Sequence, residues 1–193
     1  MTKADVSMVV NVHLAGFQGF FLTFLGPAFL RELYEATLVD PSGIGFVAVN
    51  DKRICGFVTG TAQPSGFYRR LLKHRWWRFA FASIFPILRR PSIIPRISRA
   101  FQMPEKASKK TGRGTLMSIA VLPEMKGKGI GNELVNAFLA EASKQGLKQI
   151  DLTTDQFNND DVNAFYQRLG FRYEGQFTTP EGRAMIEYVI DVY

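Results

Sequence analysis

The pattern of apolar and polar positions along the first third of the chain predicts two helices followed by a β-hairpin. Apolar residues recur at helical spacing over about 6–17 and again over about 27–38. Two shorter apolar runs, 45–49 and 54–62, come next and have strand character. The polar residues 50–53 between them are typical of a hairpin turn.

The second half of the chain alternates strand and helix patterns. Residues 116–121 form a short apolar run bounded by turn residues, as in a buried strand. The elements predicted after it are a helix ending near Gln145, a strand over 149–154, a helix ending at Leu169 and a closing hairpin over 171–192. This alternation indicates an α/β (α+β) fold. A chain of 193 residues, 46% of them hydrophobic, is expected to form a single domain over 1–193.

Positive charge is concentrated in one part of the chain. The sequence holds 24 Lys and Arg against 17 Asp and Glu. Fifteen of the basic residues lie between Lys52 and Arg113, where Glu105 is the only acid. A basic block of this kind commonly marks the place where an anion binds, although a solvated surface gives the same pattern.

Cys55 is the only cysteine, which rules out an internal disulfide and a cysteine-based metal site. We therefore expect no metal and a reducing, cytoplasmic setting. The first ten residues lack the apolar core of a signal peptide, and residues 17–30 are too short and too interrupted to span a membrane. Cys55 itself lies in a predicted strand and is interpreted as a small core residue.

The stretch EMKGKGIGNEL, residues 124–134, is the clearest candidate binding site. Its three glycines are Gly127, Gly129 and Gly131. Their spacing fits neither a P-loop nor a dinucleotide fingerprint. Glycines placed before a helix let several backbone N–H groups converge on one point, which is a geometry that binds phosphate.

This loop and its surroundings resemble a known family. LMSIAVLPEMKGKGIGNELVNAFL resembles the acyl-CoA loop of the GNAT superfamily of N-acyltransferases, in which Arg/Gln-x-x-Gly-x-Gly/Ala follows a strand ending in Val-x-Pro. Lys126 stands where the family usually has Arg or Gln. Farther on, NNDDVNAFYQRLGF resembles the second signature, an Asn seven residues before a Tyr that is followed by Gly-Phe. The matching residues are Asn159, Tyr166, Gly170 and Phe171.

The resemblance implies a three-layer sandwich around a mixed central sheet. Two parallel strands, LMSIAV and QIDLTT, would be splayed apart at a bulge so that the pantetheine arm of acetyl-CoA lies between them. Relative to the family, the first strand is predicted to be short or absent. Residues 63–113 are a long, basic and aromatic insert between the third and fourth strands, which we interpret as a cap over the acceptor side of the cleft.

The resemblance also assigns the contacts of acetyl-CoA, the implied co-substrate. The pyrophosphate would lie on the backbone of Lys126, Gly127, Lys128, Gly129, Ile130 and Gly131, and the lysines would help to neutralise it. The N–H of Val121 would polarise the thioester carbonyl and stabilise the developing oxyanion. Asn159 is either a helix N-cap or a pantetheine contact, and both roles can hold.

By the same resemblance, a substrate amine attacks the thioester directly and Tyr166 protonates the leaving thiolate. The alternative for Tyr166 is an aromatic side chain that packs under the sheet. The general base stays open, because residues 115–118 lack the carboxylate that several family members carry before the loop. A water chain or another residue must serve; Asp155 is a candidate, with a turn-forming Asp as its alternative. His13 and His74, the only histidines, are interpreted as structural or surface residues and not as the base.

Two functions follow. One is an N-acetyltransferase acting on a small or carrier-linked amine, with a hydroxyl acceptor still open. The other is a non-catalytic or membrane-associated CoA-fold module that binds through the insert. Tryptophan and phenylalanine mixed with arginine over 66–101 suit a phosphate-bearing or lipid-linked acceptor, or anionic lipid at the membrane periphery. A helical cap with solvated arginines is the alternative. Nucleic acid is not expected, and a homodimer stays open.

Overall fold

The computed structural model describes residues 1–89 and 112–193. In these ranges the chain forms five α-helices and six β-strands. The helices are α1 (Val6–Gly16), α2 (Phe21–Val39), α3 (Phe67–Arg89), α4 (Ile130–Lys144) and α5 (Asp160–Arg168). The strands are β1 (Gly43–Asn50), β2 (Arg53–Thr61), β3 (Arg113–Val121), β4 (Gln149–Asp155), β5 (Arg172–Thr178) and β6 (Ala184–Asp191).

The strands form one mixed sheet in the order β1-β2-β3-β4-β6-β5, in which only β3 and β4 are parallel. α4 and α5 pack on one face and share a core with residues of the sheet such as Val58 and Ile150. α1 and α2 pack on the other face, against Phe57 and Ala120. The predicted three-layer α/β sandwich is therefore confirmed.

The predicted absence of the first strand is confirmed, because residues 1–42 contain no strand. β1 and β2 form the predicted hairpin through a two-residue turn, in which Asp51 (φ 47°) and Lys52 (φ 63°) both have positive φ. The insert thus lies between the second and third strands of this chain, which correspond to the family's third and fourth.

The parallel strands β3 and β4 separate soon after they meet. They pair at three positions, the last of which joins Thr115 to Asp151, although β3 continues to Val121 and β4 to Asp155. Between β2 and β3 the register shifts so that Met117 has no partner strand residue. A bulge of this kind bends the strand that carries it. It therefore accounts for the divergence, and the predicted splay is confirmed.

α2 is bent near its start. Gly26 has a non-helical backbone (φ 83°, ψ 175°) and Pro27 follows it. The helix predicted from about residue 27 is the longer second part, and one additional turn precedes the bend. Between α1 and α2, the His13 ring nitrogen Nδ1 lies 2.6 Å from the Tyr34 hydroxyl in a fully buried contact. His13 is therefore a structural residue, as expected.

The described part of the insert forms α3, which packs along α2. Phe67, Leu71 and Phe79 are buried against α2 in a core that Met117 of β3 also touches. The rest of the insert, residues 90–111, lies outside the described residues.

Three arginines of α3 are ion-paired instead of solvated. Arg70 Nε donates to Asp40 Oδ2 at 2.8 Å. Arg75 and Arg78 both lie against the buried carboxylates of Glu32 and Glu35, the shortest of these contacts being 3.0 Å. The alternative of a helical cap with solvated arginines therefore does not hold for these three residues, because acids of α2 and its C-terminal end pair with them.

The outward face of α3 is apolar. Five large side chains on it are about half exposed or more: Trp76, Trp77, Phe81, Ile84 and Leu88. Four of them, from Trp77 onward, follow one another at intervals of four, three and four residues and so lie on one side of the helix. The helical-cap interpretation placed the aromatic side chains against the domain. In the structure they are divided between a buried side and an exposed side of α3.

Candidate active site

The glycine loop joins β3 to α4 through two left-handed residues. After the short 3-10 turn Pro123–Met125, Gly127 has φ 78° and Gly129, the N-cap of α4, has φ 79°. A side chain would strain the backbone at both positions. Gly131 has a different reason to be glycine, because a Cβ there would lie 3.2 Å from carbons of the Phe165 ring.

The backbone of this loop presents unpaired donors. No carbonyl or side chain in the described part of the chain accepts a hydrogen bond from the N–H groups of residues 127–131. The Lys126 N–H differs, since it donates to Pro123 O at 3.3 Å. Unpaired N–H groups at the start of a helix, where the helix dipole is positive, form a ready site for an anion.

Two lysines flank these donors. The side chains of Lys126 and Lys128 are exposed, and no carboxylate of the described residues forms an ion pair with either. The contact found for Lys128 is a weak one, from Nζ to Met125 Sδ at 3.4 Å. Both ammonium groups are thus available to a negatively charged ligand on the loop.

The N–H of Val121 points into the opening between β3 and β4. Leu122 N–H donates to Cys55 O across the β2–β3 pair at 2.8 Å. Successive residues of a strand direct their N–H groups to opposite sides, so the N–H groups of Val121 and Ile119 face away from β2 and toward β4. The sequence interpretation identified Val121 but missed Ile119, which the alternation of N–H directions along β3 would have indicated.

Asn159 and Asp155 both lie where β4 leads into α5. Asn159 occupies the N-cap position, but its side chain makes no capping bond. Its amide instead donates to Thr154 Oγ1 at 2.7 Å and to Asp155 O at 3.1 Å. The Asp155 carboxylate accepts three hydrogen bonds of 2.6–3.0 Å from Arg183. Asp155 is therefore an ion-paired side chain.

Tyr166 lies on the buried side of α5. Its ring packs against Phe165, Phe171 and Tyr188 at centroid distances of 5.2, 5.5 and 6.3 Å. No residue in the described part of the chain forms a hydrogen bond with the Tyr166 hydroxyl. Burial raises the pKa of Tyr166 above its ordinary value, so the hydroxyl keeps its proton throughout the neutral range.

The fold brings the two signature segments together. The contact between Gly131 and Phe165 places the N-terminus of α4 against α5, one residue from Tyr166. The loop donors after β3 and the helix that carries the buried tyrosine are thus neighbours in the fold. Asp155 lies at the far end of β4, held by Arg183.

A polar cluster at the base of this opening was not anticipated from the sequence. Asp151, the last residue of β4 that pairs with β3, is 5% exposed, and its Oδ1 accepts a hydrogen bond of 2.5 Å from Thr115 Oγ1. Arg113 is engaged by Glu174, in a short ion pair, and by Gln149 Oε1 at 2.6 Å. An acid between two apolar residues of the predicted strand, Ile150 and Leu152, was the available signal.

The second oxygen of Asp151 is left without a hydrogen bond. Asp151 Oδ2 is buried, lies 3.9 Å from Arg113 Nη1 and has no hydrogen-bond partner among the described residues. Burial raises the pKa of Asp151 to about 6, even though Thr115 and Arg113 act in the opposite direction. Glu187 and Glu174 add to the increase.

Neither a metal centre nor a membrane-spanning helix is found in the part of the chain that the structure describes. No cluster of three or more His, Cys, Asp or Glu side chains there could hold a metal ion. Across residues 1–89 and 112–193, no helix combines the length and apolar character needed to cross a bilayer.

Several solved structures share this fold. An N-acetyltransferase from Staphylococcus aureus Mu50 superposes with a TM-score of 0.65 at 16% identity, over 100% of this chain and 96% of that one. The ribosomal-protein-S18-alanine N-acetyltransferase from Escherichia coli superposes with a TM-score of 0.61 at 13% identity, over 100% of this chain and 90% of that one. An aminoglycoside 6′-N-acetyltransferase complexed with coenzyme A superposes with a TM-score of 0.61 at 14% identity, over 96% of this chain and 89% of that one. At these identities the likeness establishes the fold alone.

Sequence comparison identifies the family. The N-alpha-acetyltransferase 30 of Schizosaccharomyces pombe is 37% identical over 65 residues, which are 33% of this chain and 43% of that protein. The chain thus spans less than half the length of that relative. The model of the Acetyltransferase (GNAT) family matches residues 14–171, a range that includes the loop, the divergent strands and Tyr166. The chain therefore belongs to the GNAT family of acetyltransferases.

Proposed function

We propose that this protein transfers the acetyl group of acetyl-CoA to the amine of a small or carrier-linked acceptor. The single observation that carries the proposal is the row of unpaired N–H groups over residues 127–131, placed at the mouth of the opening between β3 and β4. The loop therefore offers an anion site next to the gap between two strands that no longer pair.

The residues present suit acetyl-CoA. Its pyrophosphate would lie on the loop N–H groups at the start of α4, where the helix dipole contributes about 0.3–1 kcal/mol. Lys126 and Lys128 would add positive charge. The pantetheine arm would follow the free edge of β3, with Asn159 near its other side. The single buried Cys55 supports a reducing, cytoplasmic setting.

The chemistry proposed is direct attack of the amine on the thioester. The N–H of Val121, which faces the opening, would stabilise the oxyanion that forms on the carbonyl, because a donor fixed by a strand needs no reorganisation. Tyr166 would give its proton to the leaving thiolate, and its raised pKa ensures that the proton is present at neutral pH.

Asp155 is a poor general base in this arrangement. The three hydrogen bonds from Arg183 engage both of its carboxylate oxygens, so a substrate amine would have to compete with the guanidinium for this side chain. We therefore interpret Asp155 as a residue that fixes the end of β4 and the segment leading into β6.

An acceptor screen tests the proposed activity. Acetyl-CoA would be incubated with the protein and single amines, and free CoA thiol followed with a chromogenic disulfide. The panel would contain amino sugars, nucleotide-linked amino sugars and a peptide with a free N-terminal alanine. We expect at least one amine to accelerate thiol release. Tight binding of acetyl-CoA with no acceleration by any amine would instead favour a non-catalytic CoA-binding module.

The apolar face of α3 favours a second role alongside the first. Trp77, Phe81 and Leu88 are 50%, 68% and 74% exposed on one side of the helix, and the ammonium group of Lys73 is exposed near them. Aromatic side chains next to a cation suit the interface of an anionic membrane. We propose that this face makes peripheral contact with anionic lipid, which would bring the enzyme close to a lipid-linked amine.

A further inference from the structure

We propose that the groove between α2 and α3 binds the phosphodiester headgroup of one anionic phospholipid, with Arg31 as the residue that contacts the phosphate. The proposal rests on the lipid contact proposed for α3 and gives that contact a defined binding site. It does not depend on acetyl transfer, because the groove shares no residue with the glycine loop or with Tyr166.

The first support is the groove itself. α2 and α3 pack through Phe29 and Phe79, whose ring centroids lie 5.4 Å apart. Elsewhere along the contact each helix presents an alanine, and an open groove of about 660 Å³ lies between them. The walls of this groove include Pro27, Ala28 and Arg31 of α2 and Trp77, Phe81 and Ala82 of α3. Its volume is in the range of sites that hold small organic ligands.

The second support is the aromatic wall of the groove. The rings of Trp77 and Phe81, one helical turn apart, are in edge-to-face contact with a centroid distance of 6.3 Å. The guanidinium carbon of Arg78 lies 5.9 Å from the centroid of the Trp77 ring, which is a cation–π distance. Trp77 and Phe81 also belong to the exposed apolar face of α3. The groove therefore opens onto the face proposed to contact the membrane.

The third support is an uncompensated positive charge. Glu32 and Arg78 also line the groove, but Arg75 and Arg78 are paired with Glu32 and Glu35, so these charges balance. Arg31 differs from them, because it is exposed and forms no ion pair or hydrogen bond with any residue in the described part of the chain. The groove therefore carries the single positive charge of Arg31 beyond those that are paired.

A phospholipid headgroup complements both features of the groove. A phosphodiester carries a single negative charge, which matches the charge of Arg31, and the planar guanidinium can donate to two phosphate oxygens at once. The acyl chains of the same lipid would lie against the exposed apolar face of α3, where aromatic side chains suit the membrane interface. A free phosphate would satisfy Arg31 but would leave the aromatic wall in water. The lipid is therefore the ligand that the groove fits best.

The test follows binding to vesicles by tryptophan fluorescence. Trp76 and Trp77 are the two tryptophans of the chain, so Trp76→Phe leaves Trp77, in the wall of the groove, as the only reporter. This variant is titrated with vesicles of phosphatidylglycerol in phosphatidylcholine and with vesicles of phosphatidylcholine alone. The anionic vesicles should shift the emission of Trp77 to shorter wavelength, because the indole enters a less polar environment. The neutral vesicles should leave the emission unchanged.

Three further substitutions in this variant examine the groove. Arg31→Gln should weaken binding to the anionic vesicles by roughly tenfold, because the phosphate loses its charge-assisted hydrogen bonds. Arg53→Gln is the matched control, since it removes the same charge from an exposed residue at the start of β2, outside the groove, and its effect should be several-fold smaller. Ala28→Leu fills the groove without changing any charge and should weaken binding about as much as Arg31→Gln. Far-ultraviolet circular dichroism should stay native in all three.

The outcomes separate the headgroup site from the broader lipid contact. Equal losses in Arg31→Gln and Arg53→Gln, or full binding by Ala28→Leu, would overturn the site and leave a general electrostatic attraction to the membrane. Binding of soluble glycerophosphoglycerol as tight as that of the vesicles would show that the groove takes a free phosphodiester and not a lipid. If wild-type protein binds no anionic vesicles, the lipid contact fails and the headgroup site fails with it. The acceptor screen measures acetyl transfer independently of all these results.

Discussion

Gly131 and Phe165 touch so closely that a Cβ on Gly131 would lie 3.2 Å from two ring carbons. This contact joins α4, which begins at the proposed anion site, to α5, which carries Tyr166. A ligand that orders the start of α4 therefore acts on a helix that already packs against α5, the helix of the candidate acid Tyr166.

The loop prediction compares two substitutions at Gly129. Gly129→Ala should weaken acetyl-CoA binding moderately, because a left-handed backbone strains a residue with a Cβ by about 1 kcal/mol. Gly129→Glu adds a negative charge beside the N–H groups and should abolish binding measured by calorimetry. Far-ultraviolet circular dichroism should stay native in both. Equal affinities of the two variants would show that no anion binds at this loop.

The acid prediction concerns Tyr166→Phe. This change removes the hydroxyl and keeps the ring packing, so kcat should fall by roughly 10²-fold with little change in KM for acetyl-CoA. Tyr188→Phe is the matched control, since Tyr188 lies in the same core and its hydroxyl accepts only a weak bond of 3.4 Å from Gln167. Wild-type kcat in Tyr166→Phe would leave Tyr166 with a packing role alone.

The prediction for α3 concerns Arg70, which makes four hydrogen bonds of 2.7–2.9 Å, to Asp40, Ser42, Gln63 and Ser65. Arg70→Met should lower the free energy of unfolding by about 2–4 kcal/mol, because the buried Asp40 carboxylate loses its cation. Lys73→Met on the exposed side of the same helix should change it by less than about 0.5 kcal/mol. Chemical denaturation at pH 7 measures both.

The same pair predicts a pH dependence. Burial alone would raise the pKa of Asp40, but hydrogen bonds from Arg70 and Ser42 outweigh it and hold the pKa below its ordinary 3.8. The stability that the pair contributes is therefore complete above about pH 4 and is lost as the pH falls through the lowered pKa. The difference between wild type and Arg70→Met should shrink on acidification, and a constant difference would contradict the pairing.

His13 predicts a second, independent acid sensitivity. Burial lowers the pKa of His13 from 6.5 to about 4. Between these values the unfolded chain binds a proton that the folded protein does not, so stability falls as the pH drops from 7 to 4, by about 3 kcal/mol. Glutamine cannot titrate, so His13→Gln should lose this part of the pH dependence of the free energy of unfolding, measured by chemical denaturation at several pH values. If the free energy of unfolding changed with pH equally in wild type and variant, His13 would be charged in the folded state.

The lipid prediction uses liposome cosedimentation. The protein should bind vesicles that contain anionic lipid but not neutral ones, and the bound fraction should fall as salt rises. Trp77→Ala combined with Phe81→Ala should remove binding. Phe157→Ala, which removes an aromatic 68% exposed on the loop after β4, is the control and should bind as wild type. Retained binding by the double variant would exclude the α3 face.

Local patterns in the sequence predicted much of the fold and the conformation of the glycine loop. The glycine spacing, the apolar run before it and the helix after it lie within a few residues of one another. The alternation of strands and helices likewise depends on neighbours along the chain. These features need no knowledge of tertiary contacts, so the sequence was sufficient for them.

The features that the sequence did not reveal depend on residues far apart in the chain. Asp151 acquires its partner only through the register between β3 and β4, which places Thr115 opposite it. The arginines of α3 resembled a free basic surface because their acids lie 30 to 46 residues earlier, on α2 and at its end. Helical periodicity was also obscured in α3, where apolar residues lie on both a buried and an exposed side.

The charge pairing between α2 and α3 has a consequence for protein engineering. The described part of the insert is not a detachable module, because excising α3 would remove the cations that pair with Glu32, Glu35 and Asp40 and would uncover the apolar side chains of α2 that pack against it, a change expected to cost several kcal/mol. A chimera that grafts α3 onto another scaffold would need to carry the acids of α2 with it. The two helices therefore form the smallest unit of exchange, and loss of one during evolution should be accompanied by replacement of the charges on the other.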